Sequence, residues 1–208
     1  YPWEQKYRIY SRATGQLKGS FAGRLASFEF EGDTRLSSYA APRVPGVIAL
    51  PVDGTASFAL RPGELNIKSC DLRYFDTEIQ ANGRLQKGQV DLAVNLASTN
   101  LAHLSFLYPD ANGKGEFKWQ VKGPLETPTL DGAVTLDNHK YREWTIQHAE
   151  GSATLNMQTQ SAELRDVSVK IGQSTATVNG TARLDGSAVN LRIKSDHIRA
   201  EDFESFPK

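Results

Sequence analysis

The residues that could do chemistry in this sequence are few and scattered. They are four histidines, one cysteine and a Ser-His-Asp set: His103, His139, His148 and His197, Cys70, and Ser98 with His103 and Asp110. None of the histidines has metal-ligand spacing to another histidine, a cysteine or a carboxylate. The Ser-His-Asp set lacks the strand-to-helix turn of a nucleophile elbow. The sequence therefore predicts no enzyme, no cofactor and no metal site.

Three further motifs have simpler structural explanations. DANGKG at 110–115 resembles the start of a calcium loop, but Val121 stands where the twelfth-position carboxylate is required. Asn179-Gly180-Thr181 is a glycosylation sequon, yet the matching Asn82-Gly83-Arg84 is not, which favours a structural turn or bulge. Cys70 has no partner for a disulfide, and we interpret it as a small, buried apolar filler.

Charge and hydropathy exclude several classes of partner. The chain has 208 residues with 24 Lys plus Arg and 24 Asp plus Glu, so its formal charge is zero. Nucleic-acid binding and polybasic membrane attachment both need a basic excess, and we expect neither. No run of 18 apolar residues exists, so we expect no transmembrane segment. There is no initiator Met and no signal-peptide pattern, and we expect the chain to be a segment of a longer protein.

Strict alternation of apolar and polar residues dominates the chain. In GQVDLAVNLAS (88–98), every second residue from Val90 to Leu96 is a large aliphatic, while the residues between them are polar or small. Alternation sends neighbours to opposite faces of a strand, so each strand has one apolar and one wet face. Short connections such as RPGE (61–64) and QKGQ (86–89) join antiparallel neighbours. The sequence predicts an all-β protein with a meandering antiparallel sheet.

The sequence also repeats itself. TEIQANGRL (77–85) is answered by STATVNGTA (174–182), and residues 54–107 match 151–204 in apolar register at an offset of 97. Upstream, residues 15–36 match 115–136 at an offset of 100. We predict a first unit over 1–107 with a lead-in strand in 1–14, a linker at 108–112, and a second unit over 113–208. Each unit is expected to hold about six to eight strands.

A short helix is expected to close each unit. STNLAHLSFL (98–107) and SDHIRAEDFESF (195–206) have helical spacing, and a Ser or Asp precedes each as an N-cap. We predict one or two helical turns in each place.

A sheet with one apolar face must cover that face, either in a sandwich, in a closed barrel, or as an open trough that faces something else. Repetition favours the trough, because trough units can be added end to end. Trp3, Trp119 and Trp144 are candidates for its edge or for ordinary packing. The predicted lining is Phe58, Leu60, Leu65, Ile67, Leu72, Ile79, Val90, Leu92, Val94, Leu96, Leu155, Met157, Leu164, Val167, Val169, Ile171, Val178, Val189, Leu191 and Ile193.

Several phrases resemble the TamB family and its AsmA-like relatives. They are VKGPLETPTLDGAVTLDNHKY (121–141), its degenerate sister GRLASFEFEGDTRL (23–36), LRDVSVKIGQSTATVNGTARL (164–184) and VNLRIKSDHIRAEDF (189–203). The resemblance implies two tandem repeats of a long sheet curled into an open apolar groove, called a β-taco. It also implies a periplasmic protein, anchored in the inner membrane of diderm bacteria, that moves phospholipid to the outer membrane. Some relatives partner an outer-membrane barrel of the assembly machinery, and the family brings no catalytic residues.

Two other functions remain open at the level of the sequence. The first is a closed β-sandwich repeat in an adhesive cell-surface array, whose dry core would not tolerate charge. The second is a chaperone surface that feeds strands to outer-membrane proteins through a free sheet edge.

Overall fold

The computed structural model describes residues 6–21, 27–40, 47–106, 110–141 and 144–203. The strands are β1 (Lys6–Ile9), β2 (Ser11–Phe21), β3 (Phe28–Ser38), β4 (Val47–Leu50), β5 (Asp53–Arg61), β6 (Glu64–Tyr74), β7 (Thr77–Gln86), β8 (Gln89–Ser98), β9 (Lys114–Pro124), β10 (Thr129–Tyr141), β11 (Trp144–Asn156), β12 (Ser161–Ile171), β13 (Ser174–Arg183) and β14 (Val189–His197). Two 3₁₀ helices span Leu101–Leu104 and Ala200–Phe203.

One antiparallel sheet contains most of the chain. Its 12 strands lie in the order β14-β13-β12-β11-β10-β9-β8-β7-β6-β5-β3-β2, so almost every strand pairs with its neighbour in sequence. Within the described residues, only β1 and β4 lie outside it, as a parallel pair. The sheet is open and curled and does not close on itself. The predicted all-β fold with tandem antiparallel repeats is confirmed.

The sheet runs without a break across the predicted boundary between the units. β8 pairs with β9 over its whole length, from Gln89 opposite Pro124 to Ser98 opposite Gly115. Residues 107–109, which include the first two residues of the predicted linker, lie outside the described part of the chain. The unit boundaries stay a prediction, but the apolar face continues from one side of them to the other.

The two halves match strand for strand. An offset of 97 places β6 on β12 and β7 on β13 with the same first and last residues. Even an irregularity is repeated: the β6–β7 ladder shifts between Ile67 and Cys70, and the β12–β13 ladder shifts between Leu164 and Val167. The doubled Asn-Gly phrase stands opposite these bulges, which confirms the structural explanation of the sequon.

Both residues of the second Asn-Gly have a structural role at this bulge. The side-chain oxygen of Asn179 accepts the backbone N–H of Asp166 at 2.8 Å, and the Asn179 amide donates to the Asp166 carboxylate at 3.1 Å. Gly180 has a φ of +140°, where side chains are strained, and a Cβ added there would lie 2.1 Å from the Asn190 carbonyl oxygen.

We predict that Gly180→Ala lowers the free energy of unfolding by more than about 2 kcal/mol, because it adds backbone strain to a clash with backbone. Gly88→Ala is the matched control: Gly88 also has a positive φ, +75°, but an added Cβ there meets nothing within 4 Å. The control should lose only about 1 kcal/mol. Urea unfolding of both variants checks this, and equal losses would show that the bulge does not require glycine.

Both predicted helices are present as single 3₁₀ turns, but their predicted N-caps are wrong. Asn100 caps the first, because its side-chain oxygen accepts the Ala102 N–H at 3.1 Å. Ser98 is still part of β8, and its hydroxyl lies 2.8 Å from that of Thr77. Ser195 likewise still belongs to β14. The strands therefore extend further than the N-cap pattern indicates.

Candidate functional site

The two faces of the 12-stranded sheet differ completely in chemistry. We call the face that carries Leu92, Val121 and Leu191 the apolar face, and its reverse the polar face. Residues paired across strands share a face, so the register assigns the paired residues of the sheet to one face or the other. Apart from the far end of β10, where Asn138 has a φ of +53° and Lys140 stands opposite Thr145, the register pairs no Asp, Glu, Lys or Arg on the apolar face of the described strands.

Rows of paired side chains cross the apolar face from edge to edge. One row includes many large residues: Leu17, Gly32, Phe58, Ile67, Gly83, Leu92, Val121, Leu130, Leu155, Ala162, Ala182 and Val189. The next row is mostly small: Gly15, Thr34, Ala56, Cys70, Ala81, Val94, Trp119, Gly132, Ala153, Leu164, Gly180 and Leu191. Small residues leave room on the inner side of a curled sheet. The rows therefore outline an apolar groove that runs across the strands.

The structure brings together nearly all of the predicted lining. Nineteen of the residues lie on the apolar face of a strand: Phe58, Leu60, Leu65, Ile67, Leu72, Ile79, Val90, Leu92, Val94, Leu96, Leu155, Leu164, Val167, Val169, Ile171, Val178, Val189, Leu191 and Ile193. Whether they contact lipid stays a prediction.

Met157 is the exception, because β11 ends at Asn156. The Asn156 side chain accepts the backbone N–H groups of Gln158 and Thr159, both at 3.0 Å, and turns the chain. The Met157 N–H donates to the Pro128 carbonyl at 3.1 Å, one pair beyond Thr129 and Asn156 in the β10–β11 register. Met157 lies one step past the end of β11, and its place in the lining stays a prediction.

Two apolar cavities open on this face at equivalent places in the repeat. The first has a volume of about 480 Å³ and is lined by residues that include Leu96, Leu101 and Trp119. The second has a volume of about 630 Å³, and its lining includes Ile193 and Ile198, the sisters of Leu96 and Leu101, together with Trp144. Both volumes lie in the range of small-molecule sites. Trp3 lies outside the described residues.

Sequence reasoning missed the apolar residues of β9 and β10. Phe117, Trp119 and Val121 stand opposite Leu96, Val94 and Leu92, and Leu130, Val134 and Leu136 continue the rows. These residues could have been identified from the repeat at an offset of 100, which matches residues 15–36 to 115–136. It matched these strands to β2 and β3, whose glycines made the apolar pattern harder to see.

The first 3₁₀ helix closes one side of the groove with a compact cluster. Leu101 and Leu104 are buried with Tyr74, and Leu50, Phe106 and Phe117 pack against them. The parallel pair β1–β4 holds Leu50 in place, because the Tyr10 N–H donates to the Leu50 carbonyl at 3.0 Å. Residues 41–46 lie outside the described residues, and β4 begins directly after them.

Two buried hydroxyls on the apolar face are bonded within the protein. Thr77 is fully buried and its hydroxyl bonds that of Ser98. Ser174, its repeat sister, donates to the Asp202 carboxylate at 2.7 Å and accepts the Arg199 N–H at 2.9 Å. Cys70 is half-buried in the small row, and burial raises the pKa of its thiol. The two hydroxyls are therefore already paired, whereas the buried indole Nε1 of Trp119 on the same face has no hydrogen-bond partner among the described residues.

No catalytic arrangement forms from the Ser-His-Asp set. Ser98 bonds Thr77, and His103 instead lies near Asp76, with Nδ1 3.4 Å from the carboxylate. Among the described residues, no three His, Cys, Asp or Glu side chains are grouped closely enough to hold a metal ion. None of the helices described in this chain has the length and hydropathy to span a membrane.

Most of the ion pairs lie on the polar face. Asp131 pairs with Arg165 and accepts a hydrogen bond from Thr154, and Lys68 pairs with Glu31 at 2.7 Å. His148 lies opposite Asp137, with 2.7 Å between Nδ1 and the carboxylate oxygen. The hydrogen bond to Asp137 raises the pKa of His148. Charge thus stabilises the wet side of the sheet and leaves the groove neutral.

We predict a small loss of stability as pH rises through the folded-state pKa of His148. Because the pKa is raised in the folded state, the stabilisation from charged His148 is complete below the unfolded-state pKa of 6.5 and is lost as pH rises through the folded-state pKa. The pair is exposed, so the loss should stay below about 1 kcal/mol. Histidine-ring NMR titration of the chain and of Asp137→Asn checks this: the variant should titrate lower, and an unchanged titration would contradict the assignment.

A family comparison agrees with this architecture. The family model for the N-terminal domain of TamB matches residues 47–180, which is more than half of the chain. The chain belongs to the TamB family. The match begins at β4 and ends within β13, so the TamB pattern includes the β8–β9 junction and most of the apolar face. No curated protein and no solved structure gave a significant match.

Proposed function

We propose that this chain is a segment of a periplasmic, bridge-like TamB protein whose apolar groove conducts phospholipids between the inner and outer membranes. The observation that carries the proposal is the apolar face itself: rows of uncharged side chains cross all 12 strands without interruption. A docking protein at the outer membrane, such as an assembly barrel, would bind other parts of the full chain.

Physical chemistry links this surface to acyl chains. Each methylene exposed to water costs about 0.8 kcal/mol, and a continuous apolar groove removes that cost at every step along it. Among the described residues, no ion pair lines the groove and could hold one lipid in one place. Headgroups can stay hydrated at the open side of the curled sheet, so the groove needs no basic cluster.

The adhesive-sandwich alternative does not agree with the structure. A sandwich buries its apolar side chains between two stacked sheets. Here nearly all the described strands lie in one sheet, and most of its apolar-face side chains remain partly exposed. The apolar face therefore has space for a guest.

Lipid extraction and mass spectrometry of the purified chain test the proposal. We expect phospholipid to co-purify from a diderm bacterial host, in excess over a control protein of similar size. Stable co-purification of unfolded outer-membrane polypeptides instead of lipid would favour a chaperone surface. A chain free of lipid after mild purification would contradict the proposal.

A further inference from the structure

The first of the two apolar cavities, which lies in the middle of the sheet next to the first 3₁₀ helix, is closed at one end. Its lining there includes Leu101, Leu104 and Leu136. Leu101 and Leu104 are buried, and they belong to the cluster that joins the helix to the sheet. A Cβ added to Gly115, at the start of β9, would lie 3.0 Å from a methyl carbon of Leu101 and 3.2 Å from one of Leu136. Side chains therefore fill this end of the cavity.

The other end of the same cavity is open. Val121 of β9 lines it, and the next residue of β9 on the apolar face is Gly123, which stands opposite Val90. A Cβ added to Gly123 would meet nothing within 4 Å. The turn at Lys87–Gly88, on this side of the sheet, is exposed. A guest can therefore enter from the turn side, and it meets a wall of leucines on the helix side.

The dimensions of the cavity fit one acyl chain. Its lining on β10 extends from Leu130 to Leu136, which is about 20 Å at a strand rise of about 3.3 Å per residue. One leaflet of a bilayer has a hydrocarbon layer of about 15 Å, half of the core. The volume is about 480 Å³. A cavity of about 150 Å³ holds benzene, so this one holds roughly three times as much hydrocarbon, which is one long acyl chain and not two.

The chemistry of the lining suits a hydrocarbon and offers nothing to a headgroup. Among the described residues, the side chains that line the cavity are hydrocarbon except for His139 and Trp119. The Nδ1 of His139 lies 3.1 Å from the Asn112 carbonyl oxygen, which can only accept, so this nitrogen donates within the protein. The indole Nε1 of Trp119 is buried and does not reach the cavity surface. A lipid headgroup is therefore expected to stay outside the cavity, in water.

We propose that this cavity is a slot for one unbranched acyl chain of a lipid in the groove. The methyl end of the chain lies against Leu101 and Leu104, and the headgroup lies outside, on the turn side near Gly123. The inference rests on the proposed lipid-conducting function and adds selectivity by chain length to it. A short chain leaves part of the slot empty, and a long chain cannot extend past the leucines. The second chain of a phospholipid stays in the open groove.

Binding of single-chain lipids that differ only in length tests the slot in the full 208-residue chain. Lysophosphatidylcholines with saturated chains from lauroyl to behenoyl are titrated by calorimetry below their critical micelle concentrations. Each added methylene should tighten binding up to about fourfold until the slot is full, and the affinity should then level off. An affinity that does not depend on chain length, or that still rises at the longest chain, would overturn the proposal.

A pair of matched variants tests whether the closed end sets this length. Ala111 lines the cavity and packs against the cluster of Leu101 and Leu104, so Ala111→Leu should shorten the slot. The affinity should then level off at a shorter chain. Ala133→Leu makes the same change at an exposed position on the polar face of β10 and should leave the length unchanged. An unshifted length in Ala111→Leu, or an equal shift in Ala133→Leu, would overturn the proposal.

Paramagnetic lipids on the unmodified chain test the direction of the acyl chain. Stearic acid with a nitroxide at its methyl end should broaden the NMR amide signal of Gly115 more than that of Gly123. A nitroxide next to the carboxyl group should do the reverse. Equal broadening of the two signals, or the opposite order, would overturn the slot. If phospholipid still co-purifies with the chain in that case, the groove proposal stands without the slot, whereas a chain that binds no lipid of any kind would overturn both.

Discussion

Leu92→Glu is expected to leave the sheet folded and to weaken phospholipid binding by at least about tenfold. A bound acyl chain would desolvate the new carboxylate, and a cost of about 1.4 kcal/mol already lowers the affinity by a factor of ten. Leu92 lies on the apolar face between Gly83 and Val121, in the row that crosses the whole sheet. Its side chain is only half-buried, so a glutamate there can reach water while the groove is empty.

Ala93→Glu is the matched control for this variant. Ala93 is the next residue of β8, is exposed, and points to the polar face. It introduces the same charge without entering the groove, and lipid binding should be unchanged. Circular dichroism and lipid quantification are measured on both variants. If Leu92→Glu unfolds the chain while Ala93→Glu does not, the face is a dry core; if both bind lipid like the parent chain, the groove is not the binding site.

Leu101→Ala is expected to cost about 2–5 kcal/mol of unfolding free energy, the range for a buried leucine whose cavity cannot collapse. Leu101 is almost fully buried in the cluster with Leu104 and Tyr74, which joins the first 3₁₀ helix to the sheet. With urea m-values of about 1–3 kcal/mol/M, the unfolding midpoint should fall by about 0.7 M or more.

Ile198→Ala is the control that the repeat provides. Ile198 occupies the sister position but is largely exposed, so its truncation should change stability by no more than about 0.5 kcal/mol. Equilibrium urea unfolding of both variants, at a concentration where the chain is monomeric, measures the difference. Similar losses at the two positions would show that Ile198 is covered in solution, and small losses at both would show that the cluster does not stabilise the sheet.

Alternation and short turns were enough to predict most of the fold. Alternation predicts strands such as β6, β7, β12 and β13, because the hydropathy of each residue indicates which face of the strand it lies on. Two-residue turns such as Lys87–Gly88 are too short for anything but antiparallel pairing. Strand ends were harder to predict, because they depend on side-chain to backbone bonds such as those of Asn156.

Long-range features of the site could not be read from local pattern. The burial of Leu101 depends on β9, and the position of Leu50 depends on a bond from Tyr10, 40 residues earlier. The groove lining from β9 and β10 was missed because the offset-100 repeat matches these strands to β2 and β3, whose glycines obscure the apolar pattern. The repeat is informative here, because a residue that is buried in one unit shows which contacts its counterpart in the other unit does not make.

The claim that the apolar face holds a guest is tested most directly by photo-cross-linking. Trp119 and Lys118 are neighbours on β9 that face opposite sides of the sheet, and each is replaced in turn by a benzophenone amino acid. In living cells with an intact cell envelope, the probe at position 119 should capture phospholipid and the probe at 118 should not. Capture of phospholipid at 118 and not at 119, or equally at both, would contradict the groove.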